Sequence, residues 1–516
     1  MLEYYLSAAG LRLIQVVVYA SLWIVIGCFI AAVFRRMLGP ATVRRIFGDH
    51  TRFGLIAGWV IGMLLPVCSL GVIPIVHEMH RMGVKRGTIV AFGLTAPLFN
   101  PMSVLYGLTL SDPIAILTFS LCAMVVVSLL GFAWNRMVKV DEGAAVEKAT
   151  AAIGAKRMIS VFDSASSALV GPVSVYLVIG ILASVMVAVL LPKGYLQNQV
   201  ERDNPIAPIV VAAVATPIYS TPLLAMSQIG GMFQHGNSVG AAFSLLILGA
   251  GTNFGLLAWF GRTYGLGRIV IFFLMLVVTT VSLAYLIDKP LYPKGVEPAG
   301  HTHAFDVYTN PFDPEQKNIY ELATKKMKEF WQANEFGGTY LLGALALLGV
   351  VFRFVSKRKD LESWYQQADA TTESKSKLDR NVPPWLVGGT VVAGLVLASV
   401  LGSYVYYPAP KDILPDLFAI NTEAVLAAKL KKWDAAEKWI GFCDDLSRRV
   451  EVGVYLRNGS VSEFKTSKAR LYRERLDDLK LAVDTRNEEN LDELSMAVQN
   501  AYRRMSAAFK DEAADR

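Results

Sequence analysis

Charge is scarce in this chain. Asp, Glu, Lys and Arg make up 18% of its 516 residues, and apolar types make up 53%, a balance that disfavours a soluble globular protein. Cysteine is scarcer still, at four residues. Cys28 and Cys122 fall inside apolar runs, Cys68 in a proline-interrupted segment and Cys443 in the polar C-terminal part, so no spacing suggests a zinc or disulfide framework. A Gly-rich phosphate loop with its Lys is absent, which argues against ATP hydrolysis. No nucleophile stands at a spacing that implies a partner base, so neither enzyme chemistry nor a cofactor is expected. Asp and Glu are missing from the core apolar runs, which argues against a pump built on intramembrane carboxylates. The first ten residues hold Glu3 and no basic residue, a pattern that suits an uncleaved first span better than a signal peptide.

What is present in quantity is long apolar sequence. Leu11–Phe34, Gly87–Leu110, Ala115–Trp134, Ala168–Leu191, Val239–Phe260, Ile269–Ile287, Thr339–Phe354 and Trp385–Tyr406 each read as one run. Most reach the roughly 20 helical residues that cross a hydrocarbon core. Tyr340–Val355 is short and needs its flanks to reach the interface. The formal charge of +7 comes mainly from short loops between these runs. It therefore reads as membrane orientation and not as nucleic-acid binding.

Two apolar segments resist a simple span. Leu55–Val76 contains Pro66, Gly71 and Pro74, and Ala207–Met226 contains Pro208, Pro217 and Pro222. Proline removes a backbone donor and clashes with the preceding turn, so both are expected to be broken helices. Broken backbone survives at membrane depth only against protein or a water-filled cavity. If both segments are re-entrant hairpins and the amino terminus faces outside, the inner loops are 35–53, 77–87, 135–167, 261–268 and 353–384. They gather Arg35, Arg36, Arg44, Arg45, Arg81, Lys85, Arg86, Arg136, Arg262 and Arg268, among others. The short outer loops offer only Lys193 and Arg202. That asymmetry favours hairpins, and it makes the two units enter the membrane from opposite sides, as inverted repeats do.

The breaks hold the residues that could meet a solute. Pro66, Cys68, Ser69, Gly71 and Pro74 lie in the first, where half-helix ends would present partial charges, a soft thiol and a hydroxyl. Gly87–Asn100 and Gly240–Asn253 share a thirteen-residue Gly-to-Asn spacing. Asn100 and Asn253 read either as caps of broken helices or as lining groups, since a mid-membrane amide is costly without a partner. His77, Glu78 and His80 beside Arg81 read as an interfacial charge cluster, with a proton relay as the alternative. His301 and His303, with Asp306 nearby, read as solvated more readily than as metal ligands.

The stretch LPVCSLGVIPIVHEMHRMGVKRGTIVAFGLTAPLFNP (65–101) resembles the signature of the predicted-permease family that includes the trivalent organoarsenical efflux permeases. TPIYSTPLLAMSQIGGMFQHGNSVGAAFSLLILGAGTN (216–253) is similar to the family's second repeat. The resemblance covers about residues 10–290. By position it carries over Pro66, Cys68, Ser69, Gly71, Pro74, Pro97 and Asn100, then Pro217, Tyr219, Thr252 and Asn253. It implies a membrane permease. The family typically shows Cys-Ser-Cys-Gly in the first break, where this chain has Leu70 as third residue, and often a Cys after the Tyr, where Ser220 stands here. An arsenical favours two or three thiolates, so the cargo stays open.

The expected architecture is an all-α polytopic membrane protein. Residues 1–134 form a first repeat with hairpin 54–82, 135–167 a cytoplasmic linker, and 168–287 a second repeat with hairpin 207–232. Residues 288–338 form an outer loop and 339–407 two further spans joined by linker 357–384, whose 369–380 part is expected to be mobile. Residues 408–516 form an outer helical bundle, from stripes such as Leu426, Leu430, Trp433, Ile440 and Cys443. The expected function is secondary transport of a small molecule or ion at a site between the hairpins, in a bacterial inner membrane with both termini outside. The alternative is a transport-inactive anchor whose outer domain binds a partner protein. Homo-oligomerisation is left open.

Overall fold

The computed structural model describes residues 2–48, 51–111, 113–138, 155–196, 199–293, 305–313, 315–316, 318–333, 336–358 and 384–510. His301, His303 and the linker 369–380 lie outside the described residues. Among the described residues every regular element is helical.

The chain divides into two compact units, Met1–Val104 with Ile114–Leu397, and Leu105–Pro113 with Ala398–Arg516. The first opens with α1 (Leu2–Val33), whose end passes into a π-turn at Phe34–Leu38 and then α2 (Gly39–Ile46). The wider turn absorbs one extra residue within Phe34–Leu38, the segment that holds Arg35 and Arg36. There follow α3 (Thr51–Leu64), α4 (Val72–Arg81), α5 (Arg86–Thr95), α6 (Pro101–Leu110), α7 (Pro113–Met137), α8 (Ala155–Val170) and α9 (Ser174–Leu190). Then come α10 (Ala207–Ala215), α11 (Pro222–Gln234), α12 (Val239–Ser244) with a π-turn at Leu245–Ala250, α13 (Phe254–Tyr264) and α14 (Leu266–Asp288). The series closes with α15 (Ile319–Ala333), α16 (Gly337–Arg358) and α17 (Pro384–Tyr406), the last crossing the unit boundary.

Among the described residues, the helix running Leu2–Ile46, α7, α14 and Gly337–Ser356 are long and apolar enough to cross a membrane. Two bent pairs add to them: α8 with α9, bent by 48°, and α12 with α13, bent by 57°. The chain is thus an all-helical protein with several membrane-length helices. α16 extends to 22 residues, so the short run at 340–355 does recruit its flanks.

Three runs that read as continuous are interrupted. Gly87–Leu110 becomes α5 and α6, Ala168–Leu191 is bent at Gly171–Val173, and Val239–Phe260 is bent at Gly251–Asn253. Hydropathy is blind to such breaks, because a single Asn, Gly or Pro barely changes the mean of a long apolar run. The range expected as a linker, 135–167, contains most of α8, which packs on α1 and α16. The segment expected as an outer loop is fastened down. The Arg12 guanidinium donates to the Thr309 and Asp306 carbonyls at 2.6 and 2.8 Å, and Tyr4 Oη to Phe312 O at 3.2 Å. Asn310 Nδ2 donates to Val189 O at 2.9 Å and Tyr308 Oη to Gln228 Oε1 at 2.7 Å.

α1 packs against α4, α8, α9, α15 and α16. Its tightest approach is to the first break. A Cβ on Gly27 would stand 2.0 Å from Gly71 O, and one on Gly71 2.4 Å from Trp23 O. Only glycine lets two backbones meet at this distance, which is how membrane helices gain contact without a hydrophobic drive between them.

The second unit contains α18 (Pro410–Lys429), α19 (Trp433–Asn458), α20 (Glu463–Asp484) and α21 (Leu491–Lys510). Each neighbour in sequence packs on the next, and α18 closes against α21, which makes a four-helix bundle. Its core includes Leu417, Ile440, Cys443, Tyr472, Leu476 and Met505. Leu426 and Leu430 are exposed instead. The stripe 426–443 is cut in two because Lys431 takes a left-handed conformation (φ 53°) that turns the chain between α18 and α19. Within the core the Arg473 guanidinium meets the Glu451 carboxylate at 2.5 Å, and Tyr472 Oη donates to Asn421 Oδ1 at 2.9 Å.

Candidate functional site

The first break runs Leu65–Gly71 between α3 and α4, and every residue from Leu65 to Val76 is buried. Pro66 ends α3 by withholding an N–H. The turn is closed locally: Gly71 N–H donates to Cys68 Sγ at 3.3 Å, Val72 N–H to Cys68 O at 2.9 Å and Ile73 N–H to Leu70 O at 3.1 Å. Ser69 Oγ is buried with no hydrogen-bond partner. Pro74 continues α4 and lines a cavity of about 230 Å³ with His77, Glu78 and Arg81.

The second break runs Thr216–Thr221 between α10 and α11, and it too is buried. Pro217 stands inside it, and Pro222 opens α11, where its missing donor costs nothing. Thr221 Oγ1 caps α11 by accepting from Leu224 N–H at 3.1 Å. Tyr219 N–H donates to Ser184 Oγ of α9 at 2.9 Å, and Ser220 Oγ to Thr221 O at 3.2 Å.

The fold brings the breaks together. The Tyr219 hydroxyl faces the Cys68 thiol closely enough to interact with it, although the hydroxyl makes no well-formed hydrogen bond. Cys28 of α1, also fully buried, lies within electrostatic range of Cys68. This second thiol was read from sequence only as the interior of a span. Gly180 of α9 joins the halves again, since a Cβ there would be 2.6 Å from Leu70 Cδ2 and 2.9 Å from Asn253 Oδ1.

Asn100 and Asn253 each begin a helix. Asn100 Oδ1 accepts from Ser103 N–H at 2.8 Å, and Asn253 Oδ1 from Leu256 N–H at 2.9 Å. The capping reading therefore holds for the oxygens. Both Nδ2 groups are buried without an acceptor, so the lining reading is open for the nitrogens. Thr252 Oγ1 is turned back to Leu248 O at 2.8 Å. Four buried polar atoms thus lack a well-formed hydrogen bond: Ser69 Oγ, Tyr219 Oη, Asn100 Nδ2 and Asn253 Nδ2. Each costs about 1–3 kcal/mol unless water or a solute satisfies it.

Two anchoring residues were missed from sequence. Gly87 N–H at the start of α5 donates to Asn135 Oδ1 at 2.8 Å, and Gly240 N–H at the start of α12 donates to Asp288 Oδ1 at 2.6 Å, each 48 residues away. An interval of 153 residues separates 87 from 240, 100 from 253 and 135 from 288. The equal spacing of Gly, Asn and a terminal Asn or Asp was the available signal.

The histidine cluster is engaged with α13. Trp259 Nε1 donates to His77 Nδ1 at 3.3 Å, and His80 Nδ1 and the Tyr264 hydroxyl are 3.1 Å apart. Among the described residues no group of three or more His, Cys, Asp or Glu is placed to hold a metal.

Several membrane-length apolar helices with buried polar interruptions mark a polytopic membrane protein. A family model described as "Predicted permease" matches residues 10–289. The chain belongs to this predicted permease family and is an integral membrane protein. It is 30% identical over 89 residues to the UPF0718 protein YcgR of Bacillus subtilis (strain 168), a match covering 17% of this chain and 30% of that one. Over 89 residues it is 25% identical to a Streptococcus mutans (serotype c) protein named "Putative two-component membrane permease complex subunit", with the same coverage. The chain thus spans less than a third of the length of these curated relatives. No solved structure matches the chain.

Proposed function

We propose that the chain is a secondary permease that moves a small solute through a site built from its two broken-helix segments. The observation that carries this reading is the meeting of Cys68 and Tyr219 from opposite breaks, supported by three further buried polar atoms, Ser69 Oγ, Asn100 Nδ2 and Asn253 Nδ2, that make no hydrogen bond. Pro66, Gly71, Pro74, Pro217 and Ser220 shape the interrupted backbone, Ser69 and Tyr219 offer hydroxyls, and Asn100 and Asn253 offer amide donors, with Thr252 supporting the second. The breaks act as re-entrant hairpins in two repeats of inverted topology. The shared intervals of Gly87 with Asn135 and Gly240 with Asp288 support the duplication. Both termini and the four-helix bundle face outside an inner membrane, as the loop arginines favour.

The solute class follows from the donors, which are soft thiols and neutral hydroxyl and amide groups. A thermal-shift panel of purified protein against oxyanions, arsenicals, thiols and metal ions tests it, since a ligand of the folded state raises the melting temperature. The reading expects one class to stabilise the wild type and to lose that effect in Ser69→Ala and Tyr219→Phe. A panel with no stabilising solute, or one equally effective in both variants, counts against it.

A second reading, an assembly subunit whose bundle recruits a protein, is favoured by the compactness of the second unit. The Streptococcus mutans relative's name, which describes a complex subunit, points the same way. Removing residues 410–516 separates the two: permease action survives that truncation, whereas a recruiting role is lost with it.

A further inference from the structure

The larger of two adjoining cavities in the first unit has chemistry that the solute site lacks. It measures about 810 Å³ and opens between the π-turn after α1, the bend between α8 and α9, and the end of α16. Arg35, Arg36 and Arg353 line it together with Asp163. The wall thus holds three arginines and one aspartate. Ser164, Ser167, Ser174 and Ser356 add hydroxyls to the wall. Arg35, Ser164, Ser167, Gly171 and Pro172 are shared with the smaller cavity beneath Pro74, where Glu78 is already engaged by Arg81 at 3.0 Å and by Arg35 at 3.7 Å.

The arginines are held in place by the fold. Arg36 is buried in the π-turn, and Arg353 Nη1 donates to Val170 O at 2.9 Å, which ties α16 to the end of α8. A concave, serine-lined cavity with more cationic than anionic side chains in its wall raises the local concentration of anions. Guanidinium forks match tetrahedral oxyanions in a bidentate way, and hydroxyls complete the coordination. Val170, Val175 and Phe352 make the remaining wall apolar, and Val175 is exposed on the surface of α9.

We propose that this cavity binds a phosphate-type oxyanion, held by Arg35, Arg36 and Arg353 with serine hydroxyls alongside. The anion has two sources, a soluble phosphate or the headgroup of an anionic phospholipid entering past the apolar wall. Basic pockets between membrane helices take such headgroups. Neither source depends on the solute site between the breaks.

The test uses full-length purified protein and two arms. In one, inorganic phosphate is titrated against chloride at equal ionic strength while the melting temperature is read. In the other, the protein is reconstituted with phosphatidylglycerol or with phosphatidylcholine alone, and lipid retained through purification is counted by native mass spectrometry. Phosphate stabilising beyond chloride assigns the soluble source, and retained phosphatidylglycerol assigns the lipid. Arg353→Gln and Ser356→Glu change exposed positions on α16, so both should fold. Either one should raise the phosphate concentration needed for a given shift at least fivefold, or remove the retained lipid, whereas Arg268→Gln, outside the cavity, should behave as wild type. The proposal is overturned if wild type responds to neither anion, or if both α16 variants respond as wild type does.

Discussion

Asn100 and Asn253 are used in the same way: in each, Oδ1 accepts the backbone N–H three residues on, at 2.8 and 2.9 Å, while Nδ2 is buried without an acceptor. Replacement can separate the two roles. Serine keeps an N-cap oxygen but not the amide donor, and leucine keeps neither. Asn253→Leu should lower stability by about 1 kcal/mol relative to Asn253→Ser, and both should lose solute binding. Melting curves with and without a stabilising solute measure the two effects independently.

The contact between Gly27 and Gly71 admits no side chain. Gly27→Val should reduce folded protein severely, because a Cβ there would stand 2.0 Å from a carbonyl that cannot move without opening the break. Overpacking a well-packed core of side chains costs about 1–3 kcal/mol, and backbone contact leaves less room to relax. Gly10→Val, where a Cβ meets nothing within 4 Å, is the control. Size-exclusion profiles after detergent extraction distinguish them.

Asp288 serves α12 as Asn135 serves α5. Asp288→Asn should be tolerated, since an amide oxygen still accepts from Gly240 N–H and Ser238 Oγ, at 2.6 and 3.0 Å in the native protein. Asp288→Ala should cost about 1–2 kcal/mol by leaving both donors unpaired. Thermal melts of the two variants check the order.

Cys443 lies in the bundle core with no exposure, beside Tyr472. Burial pushes its thiol up to about 12. At pH 8 about one molecule in ten thousand would then carry the thiolate that alkylating agents require. In a chain whose other three cysteines are replaced by alanine, maleimide labelling at Cys443 should be negligible until the bundle is unfolded. Rapid labelling of folded protein would contradict the buried assignment.

Within that bundle, Glu451→Ala should destabilise by about 3–5 kcal/mol, because it leaves the Arg473 charge buried and alone. Replacing both, as Glu451→Leu with Arg473→Met, should recover most of the loss. A double-mutant comparison by chemical denaturation measures the recovery.

The features legible in the sequence were those that proline or bulk composition signals. Pro66, Pro74, Pro217 and Pro222 announced the two breaks, and long apolar runs announced the membrane helices. Asn100, Asn253 and Gly171 interrupt helices within apolar stretches, where hydropathy does not change. α8 was hidden because Lys156, Arg157 and Asp163 gave it the composition of a linker. The docking of 305–312 was also hidden, since it depends on Arg12, nearly 300 residues away in sequence. The proximity of Cys28 to Cys68 and of Cys68 to Tyr219 is likewise tertiary, and no local pattern encodes it.

The central claim is that a solute passes between the two breaks, and flux in proteoliposomes tests it most directly. With a solute that stabilises the protein, the initial rate should fall at least roughly tenfold, about 1.4 kcal/mol, in Cys68→Ala and Asn100→Leu at equal folded protein. Rates equal to wild type in both variants would contradict the account.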